Sequence, residues 1–141
     1  WKQPEPTAAA FNDEGWFKSG DMARRDAEGF FYIAGRSKDM FISGGVNVYP
    51  AEIEAQLLQH PKVQDAAVIG VEDERWGESG VAFLVPREGA LDVEGVGSFL
   101  AERLAKYKLP REYRVVDELP RTPYGKVIKA DLQRLFAEES R

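Results

Sequence analysis

The sequence predicts an α+β fold: a small mixed domain with a short sheet flanked by about three helices, preceded by a hairpin-bearing tail. Apolar residues at helical spacing recur in "PAEIEAQLLQH", "DVEGVGSFLAERLA" and "KADLQRLFAEE". The β-prone runs "VQDAAVIGV", "GVAFLVP" and "EYRVVDELP" stand between them. From about residue 37 the resulting order is strand-helix-strand-strand-helix-strand-helix, which a single layered domain accommodates.

Each element has a local reason. "WKQPEPTAAAFNDEGW" is proline-interrupted and weakly periodic, an irregular approach with a short helix expected near Thr7 to Phe11. "FKSGDMARRDAEGFFYIAGR" reads as a hairpin whose turn is "DAEG". "SKDMFISGGVNVYP" is two short β-prone pieces around a double glycine, and Pro50 suits the first turn of the helix that follows. In that helix Ile53 and Leu57 fall on one face, with Leu58 beside them. The polar "EDERWGES" reads as an exposed connection between two strands. Val93, Val96, Leu100 and Leu104 form the stripe of the next helix, although each glycine inside it costs about 1 kcal/mol relative to alanine. Leu132, Leu135 and Phe136 form the stripe of the last.

Composition excludes several classes of function. With 141 residues, 43% hydrophobic and 30% charged, the chain has room for one packed domain or a small domain with a piece of another. A formal net charge of −5 argues against non-specific binding to nucleic acid, though not against a local basic pocket. The absence of cysteine removes disulfides and thiolate metal sites and fits a reducing, cytoplasmic setting. A single histidine, His60, in a chain without cysteine argues against a zinc site, and no metal site is expected in these residues. No apolar run approaches a membrane span. The chain opens on Trp1 in a segment that reads as mid-protein, so a piece of something longer is expected.

The usual catalytic signatures are missing. There is no G-x-S-x-G, His60 sits in "QHPKV" at a helix end, and the Gly125-Lys126 pair lacks the earlier glycine of a Walker phosphate loop. What remains is "LPRTPYGKVIK", where Pro120, Pro123 and Gly125 stiffen a loop around Lys126. Taken alone it is either a solvated turn or a cation held out for something negative. Asp21 in "SGD" is equally open: its two acceptor oxygens suit the hydroxyls of a ribose or the amides of a turn.

Four stretches together are more specific: "GWFKSGDMARRDAEGFFYIAGRSKD", "FISGGVNVYPAEIE", "GVEDERWGES" and "LPRTPYGKVIK". Their order and spacing resemble the C-terminal part of the adenylate-forming acyl-CoA synthetases, the superfamily that includes luciferases and the adenylation domains of peptide synthetases. The resemblance runs from about Gly15 to Leu135. It implies residues 1–37 as the tail of a large adenylation domain and residues 38–141 as a mobile C-terminal lid.

The same resemblance implies the chemistry: ATP and a carboxylic acid give an acyl-adenylate, and coenzyme A then displaces AMP. The fragment alone is expected to be inactive, with Mg2+ bound mainly by the large domain. Lys126 is implied as the catalytic lysine, Asp21 and Arg36 as nucleotide contacts, and Lys38 as the hinge. Gly44 and Gly45 are implied as the wall of the pantetheine tunnel, with Trp76 and Tyr107 near the coenzyme A adenine. Some relatives have an arginine two residues after that second aromatic; here Leu109 stands there, which shifts the expectation to Lys108 or Arg111. A fatty or otherwise lipophilic acid is the expected substrate. An adenylation domain that loads a carrier protein, and a non-catalytic binding module, are the alternatives.

Overall fold

The computed structural model describes residues 2–139; Trp1 lies outside them. The leader begins with α1 (Pro4–Ala9), which starts earlier than expected because Pro4 and Pro6 suit the first turn, where their missing amides cost nothing. A hairpin follows, β1 (Asp21–Arg25) antiparallel to β2 (Phe31–Arg36). Its turn is built by Asp26, whose carboxylate accepts the amides of Glu28 and Phe30 at 3.0 and 2.9 Å and the Tyr32 hydroxyl at 2.9 Å.

The rest of the chain forms one five-stranded sheet. A short hairpin of β3 (Phe41–Ser43) and β4 (Val46–Val48) turns at Gly44 and Gly45, both in the left-handed region at φ 58° and 81°. Then come α2 (Pro50–Leu57), the long antiparallel pair β5 (Val63–Asp73) and β6 (Gly77–Pro86), α3 (Val93–Ala101), β7 (Glu112–Val115) and α4 (Lys129–Glu139). β5 runs the full length of one edge of β6. The other edge receives β3 at Gly77 and β7, in parallel, from Val81 to Leu84.

β5 and β6 are apolar without strict alternation because both faces of the pair are covered. Val68 and Ala82 face a core closed by Ile53 and Leu57 of α2 and by Val96 and Leu100 of α3. Ile69 and Phe83 face the opposite core, closed by Leu132 of α4. Phe41 enters the first core through a notch made by Gly70 and Gly80, which sit opposite each other in the β5–β6 register. A Cβ at Gly70 would lie 2.4 Å from the Phe41 Cβ, and one at Gly80 would lie 3.2 Å from its ring.

Some sequence expectations shift for physical reasons. "EDERWGES" is not a free connection, because the two strands continue through it as far as Asp73 and resume at Gly77. The remaining turn closes because the Asp73 carboxylate accepts the amides of Arg75 and Trp76 at 2.9 and 3.0 Å. Leu58 and Leu135 are exposed, since α2 and α4 each rest on the sheet along one side only. α3 ends at Ala101, so Leu104 reaches the core from beyond the helix. His60 is structural: its ring meets Phe99 edge-on at 4.9 Å. No helix among the described residues is long and apolar enough to cross a membrane.

Candidate functional site

The "RTPYGKV" stretch folds as a tight hairpin loop. Arg121 and Val127 bridge antiparallel, the Thr122 amide donates to the Lys126 carbonyl at 2.8 Å, and the Gly125 amide returns to the Thr122 carbonyl at 2.9 Å. Pro123 presets the turn, and Gly125, at φ 82°, supplies the left-handed residue that lets the two stems re-pair. Tyr124 stands at the tip, 95% exposed. The Lys126 amide donates to Thr122 Oγ1 at 3.2 Å, so its backbone is fixed while its side chain stays exposed.

No hydrogen bond or ion pair engages the Lys126 ammonium among the described residues, whereas Lys108 and Lys129 are both paired. Lys126 lines a cavity of about 510 Å³ together with Lys38, Glu78 and the first turn of α4. The expected hinge and the expected catalytic lysine therefore border the same space.

Asp21 and Arg36 are register partners in the leader hairpin. Arg36 Nη1 donates to Asp21 Oδ1 at 2.6 Å and to the Ser19 carbonyl at 3.1 Å. The hydrogen bond from Arg36, aided by its charge, holds the Asp21 carboxyl below the usual carboxylate range. Both side chains stay well exposed, so the pair presents a fork of donors beside an acceptor, with Arg36 two residues before Lys38.

A second cavity of about 510 Å³ lies behind the double glycine, lined by Ser43, Arg75, Trp76, Lys106, Tyr107 and Arg111 among others. Gly44 rests on the Trp76 ring so closely that a Cβ there would lie 2.8 Å from Trp76 Cε3. The Gly44 amide donates to the Trp76 carbonyl at 2.9 Å. Guanidinium groups of Arg111 and Arg75 stand 5.0 and 5.3 Å from the indole centroid.

Arg111 is also 3.5 Å from the Asp73 carboxylate. Burial raises the pKa of Asp73, but the amides of Arg75 and Trp76 and the charge of Arg111 outweigh it and leave it lowered. The indole Nε1 is buried without an acceptor among the described residues.

Gly44, Trp76, Tyr107 and Arg111 thus come together, and Gly45 caps the same loop with open space above it. Lys108 does not join them. Its ammonium donates to both Glu52 carboxylate oxygens at 2.6 and 2.7 Å and lines a different cleft, against the leader hairpin. Arg75 and Lys106 are cations of this cavity that sequence reasoning missed; their adjacency to Trp76 and Tyr107 was the only signal. No group of three or more His, Asp or Glu among the described residues is placed to hold a metal ion.

Several known proteins are similar to this chain. The family model described as the AMP-binding enzyme C-terminal domain matches residues 52–126. The indoleacetate–CoA ligase of Aromatoleum aromaticum is 49% identical over 141 residues, covering 99% of this chain and 28% of its own length. The long-chain-fatty-acid–CoA ligase of Bacillus subtilis is 46% identical over 141 residues, covering 99% of this chain and 24% of its own. Among solved structures, ATP-bound MatB from Rhodopseudomonas palustris superposes with a TM-score of 0.88 at 40% identity, over 100% of this chain and 28% of that one. The chain therefore spans about a quarter of the length of such relatives.

Proposed function

Because this chain belongs to the AMP-binding enzyme C-terminal domain family, we propose that residues 38–141 are the lid of an AMP-forming carboxylate–CoA ligase and residues 1–37 the tail of its large domain. The observation that carries this reading is the Lys126 ammonium, exposed on a rigid turn and unpaired among the described residues. A cation so placed suits a reaction that brings anions together.

In the first half-reaction a carboxylate oxygen attacks the α-phosphorus of ATP, and the bond to pyrophosphate breaks. Lys126 closes on the reacting groups from the lid side, its three N–H donors shared between the carboxylate and the nucleotide oxygens. Preorganised donors of this kind are worth roughly 3–4 kcal/mol, or about 10²–10³ in rate. Asp21 and Arg36 hold the nucleotide from below the hinge, the carboxylate accepting from the ribose hydroxyls. Their mutual hydrogen bond holds the carboxylate in one orientation until a ribose arrives.

In the second half-reaction the coenzyme A sulfur attacks the acyl carbon, the bond to AMP breaks, and the thiol proton passes to solvent. Lys126 has no part in this step. Rotation about Lys38 withdraws it and brings in the double-glycine loop, whose lack of Cβ atoms leaves room for the pantetheine arm. The cavity behind that loop offers an indole face, a phenol and the cations Arg75, Lys106 and Arg111, a set that fits an adenine bearing phosphates. This composition supports free coenzyme A over a carrier protein, which would dock on a broad apolar surface. The described residues provide no ligand set for Mg2+, and no step above depends on one.

The acid we assign is lipophilic, like those for which the indoleacetate and long-chain-fatty-acid relatives are named, while a sulfoacetate–CoA ligase 44% identical over 133 residues is named for a polar acid. Assaying the full-length protein for AMP release, with ATP and a panel of lipophilic acids, tests the reading. Release should depend on free coenzyme A. Release that requires a phosphopantetheinylated carrier, or none with any acid, would contradict it.

A further inference from the structure

Lys129 opens α4, three residues beyond Lys126, and makes a partly buried cluster that the mechanism above does not use. Its ammonium donates to Glu54 Oε1 at 2.7 Å and to the Val68 carbonyl at 2.9 Å. The same Glu54 oxygen accepts the Val68 amide at 2.9 Å. Helices α2 and α4 therefore meet on a single residue of β5.

The location has a physical consequence. β5 is the outermost strand of the sheet, and the Val68 amide and carbonyl are satisfied here by side chains rather than by another strand. Both members of the Glu54–Lys129 pair are only 21% exposed, so removing either one leaves the other without its counter-charge and one Val68 backbone group without a partner in a poorly hydrated place.

The loop carrying Lys126 is continuous with this pin. Ile128, immediately before Lys129, donates its amide to the Pro120 carbonyl at 2.8 Å and closes the stem of the loop. On the opposite stem the Arg121 guanidinium joins the Gly125 carbonyl to the Asp65 carboxylate, again on β5. Both stems are thus tied to one sheet edge, and the ammonium of Lys126 projects from between the ties.

We infer that Lys129 is a positioning residue for Lys126: paired with Glu54, it pins the C-terminal stem of the loop to the open edge of β5 and so fixes where the Lys126 ammonium reaches. The inference rests on the reading of Lys126 as the lysine of the first half-reaction. Without the pin the turn survives, but its stem pivots against the sheet.

The test uses the full-length enzyme with Lys129→Met, Lys129→Arg and Lys126→Ala, each followed by amide hydrogen exchange and by the separate half-reactions. Lys129→Met should speed exchange of the 122–128 amides by about tenfold or more. It should lower kcat for adenylate formation about 10–100-fold, as misplacement of a catalytic group does, with KM for ATP changed less than about threefold. Thioester formation from supplied acyl-adenylate should fall by less than about twofold, because only the Lys126 step is disturbed. Lys129→Arg, which keeps a cation able to reach Glu54, should recover most of the loss. Added to Lys126→Ala, Lys129→Met should lower adenylate formation no further.

Unchanged exchange, equal losses in both half-reactions, or an additive loss beside Lys126→Ala would each overturn the inference. Undiminished adenylate formation in Lys126→Ala alone would instead overturn the reading of Lys126, and the exchange result would then decide the pin by itself.

Discussion

Replacing Gly44 with alanine should destabilise the fold more than the same change at Gly45, and the difference measures one contact. Both glycines have left-handed φ values, 58° and 81°, so alanine pays a similar backbone penalty at each, about 1–2 kcal/mol. The space around them differs. A Cβ at Gly45 meets nothing within 4 Å, whereas one at Gly44 would lie 2.8 and 3.0 Å from two carbons of the Trp76 ring. The ring must then shift by several tenths of an ångström, away from guanidinium contacts worth about 0.5–1 kcal/mol each at exposed sites.

The expected destabilisation is therefore about 1–2 kcal/mol for Gly45→Ala and about 2–3 kcal/mol for Gly44→Ala, with overpacking added to the backbone penalty. Urea unfolding of the two variants against the parent reads both values, provided the slope with denaturant is unchanged. In the full-length enzyme Gly44→Ala should also slow thioester formation while sparing adenylate formation. Equal destabilisation by the two substitutions would refute the reasoning, because the Trp76 ring would then not be the floor of the loop.

Trp76→Ala or Arg111→Ala should raise KM for coenzyme A about tenfold, the equivalent of one stacking or cation contact, and leave pyrophosphate exchange unaffected; steady-state kinetics at varied coenzyme A checks this. Arg36→Ala should let the Asp21 pKa rise back toward 3.8, read by carboxyl-carbon NMR titration. Because the pairing lowers that pKa, its stabilising effect is present above about pH 4, the ordinary carboxylate value, and is lost as pH falls through the lowered one. Burial raises the pKa of Tyr113 above 10.0. The neutral phenol therefore stabilises the fold below pH 10 and ceases to do so as pH climbs through the raised value, so Tyr113→Phe should flatten the alkaline limb of a stability profile.

The fold was largely legible because its elements are local. Proline at the start of α2, Asp26 at the hairpin turn and the Val96/Leu100 stripe of α3 each act through neighbours in sequence. What escaped was set by long-range contact. The notch of Gly70 and Gly80 exists only because β5 and β6 pair in one register and Phe41 arrives from a distant segment.

The site divided in the same way. The turns that carry Asp21 with Arg36 and Lys126 are built within short stretches of sequence, whereas the roles of these residues were implied only by the family resemblance and the pairing of Asp21 with Arg36 emerged from the hairpin register. Lys108 could not be placed from sequence, since Glu52, which engages it, lies 56 positions away. The Glu54–Lys129 pair was invisible for the same reason: its members lie 75 positions apart and meet only across the edge of β5.

The central claim is that Lys126 serves one half-reaction and not the other, and Lys126→Ala in the full-length enzyme tests it most directly. Pyrophosphate exchange should fall by about 10²–10³, the loss expected of one aimed charge, while thioester formation from supplied acyl-adenylate proceeds at near the parent rate. An equal loss in both half-reactions would contradict the account.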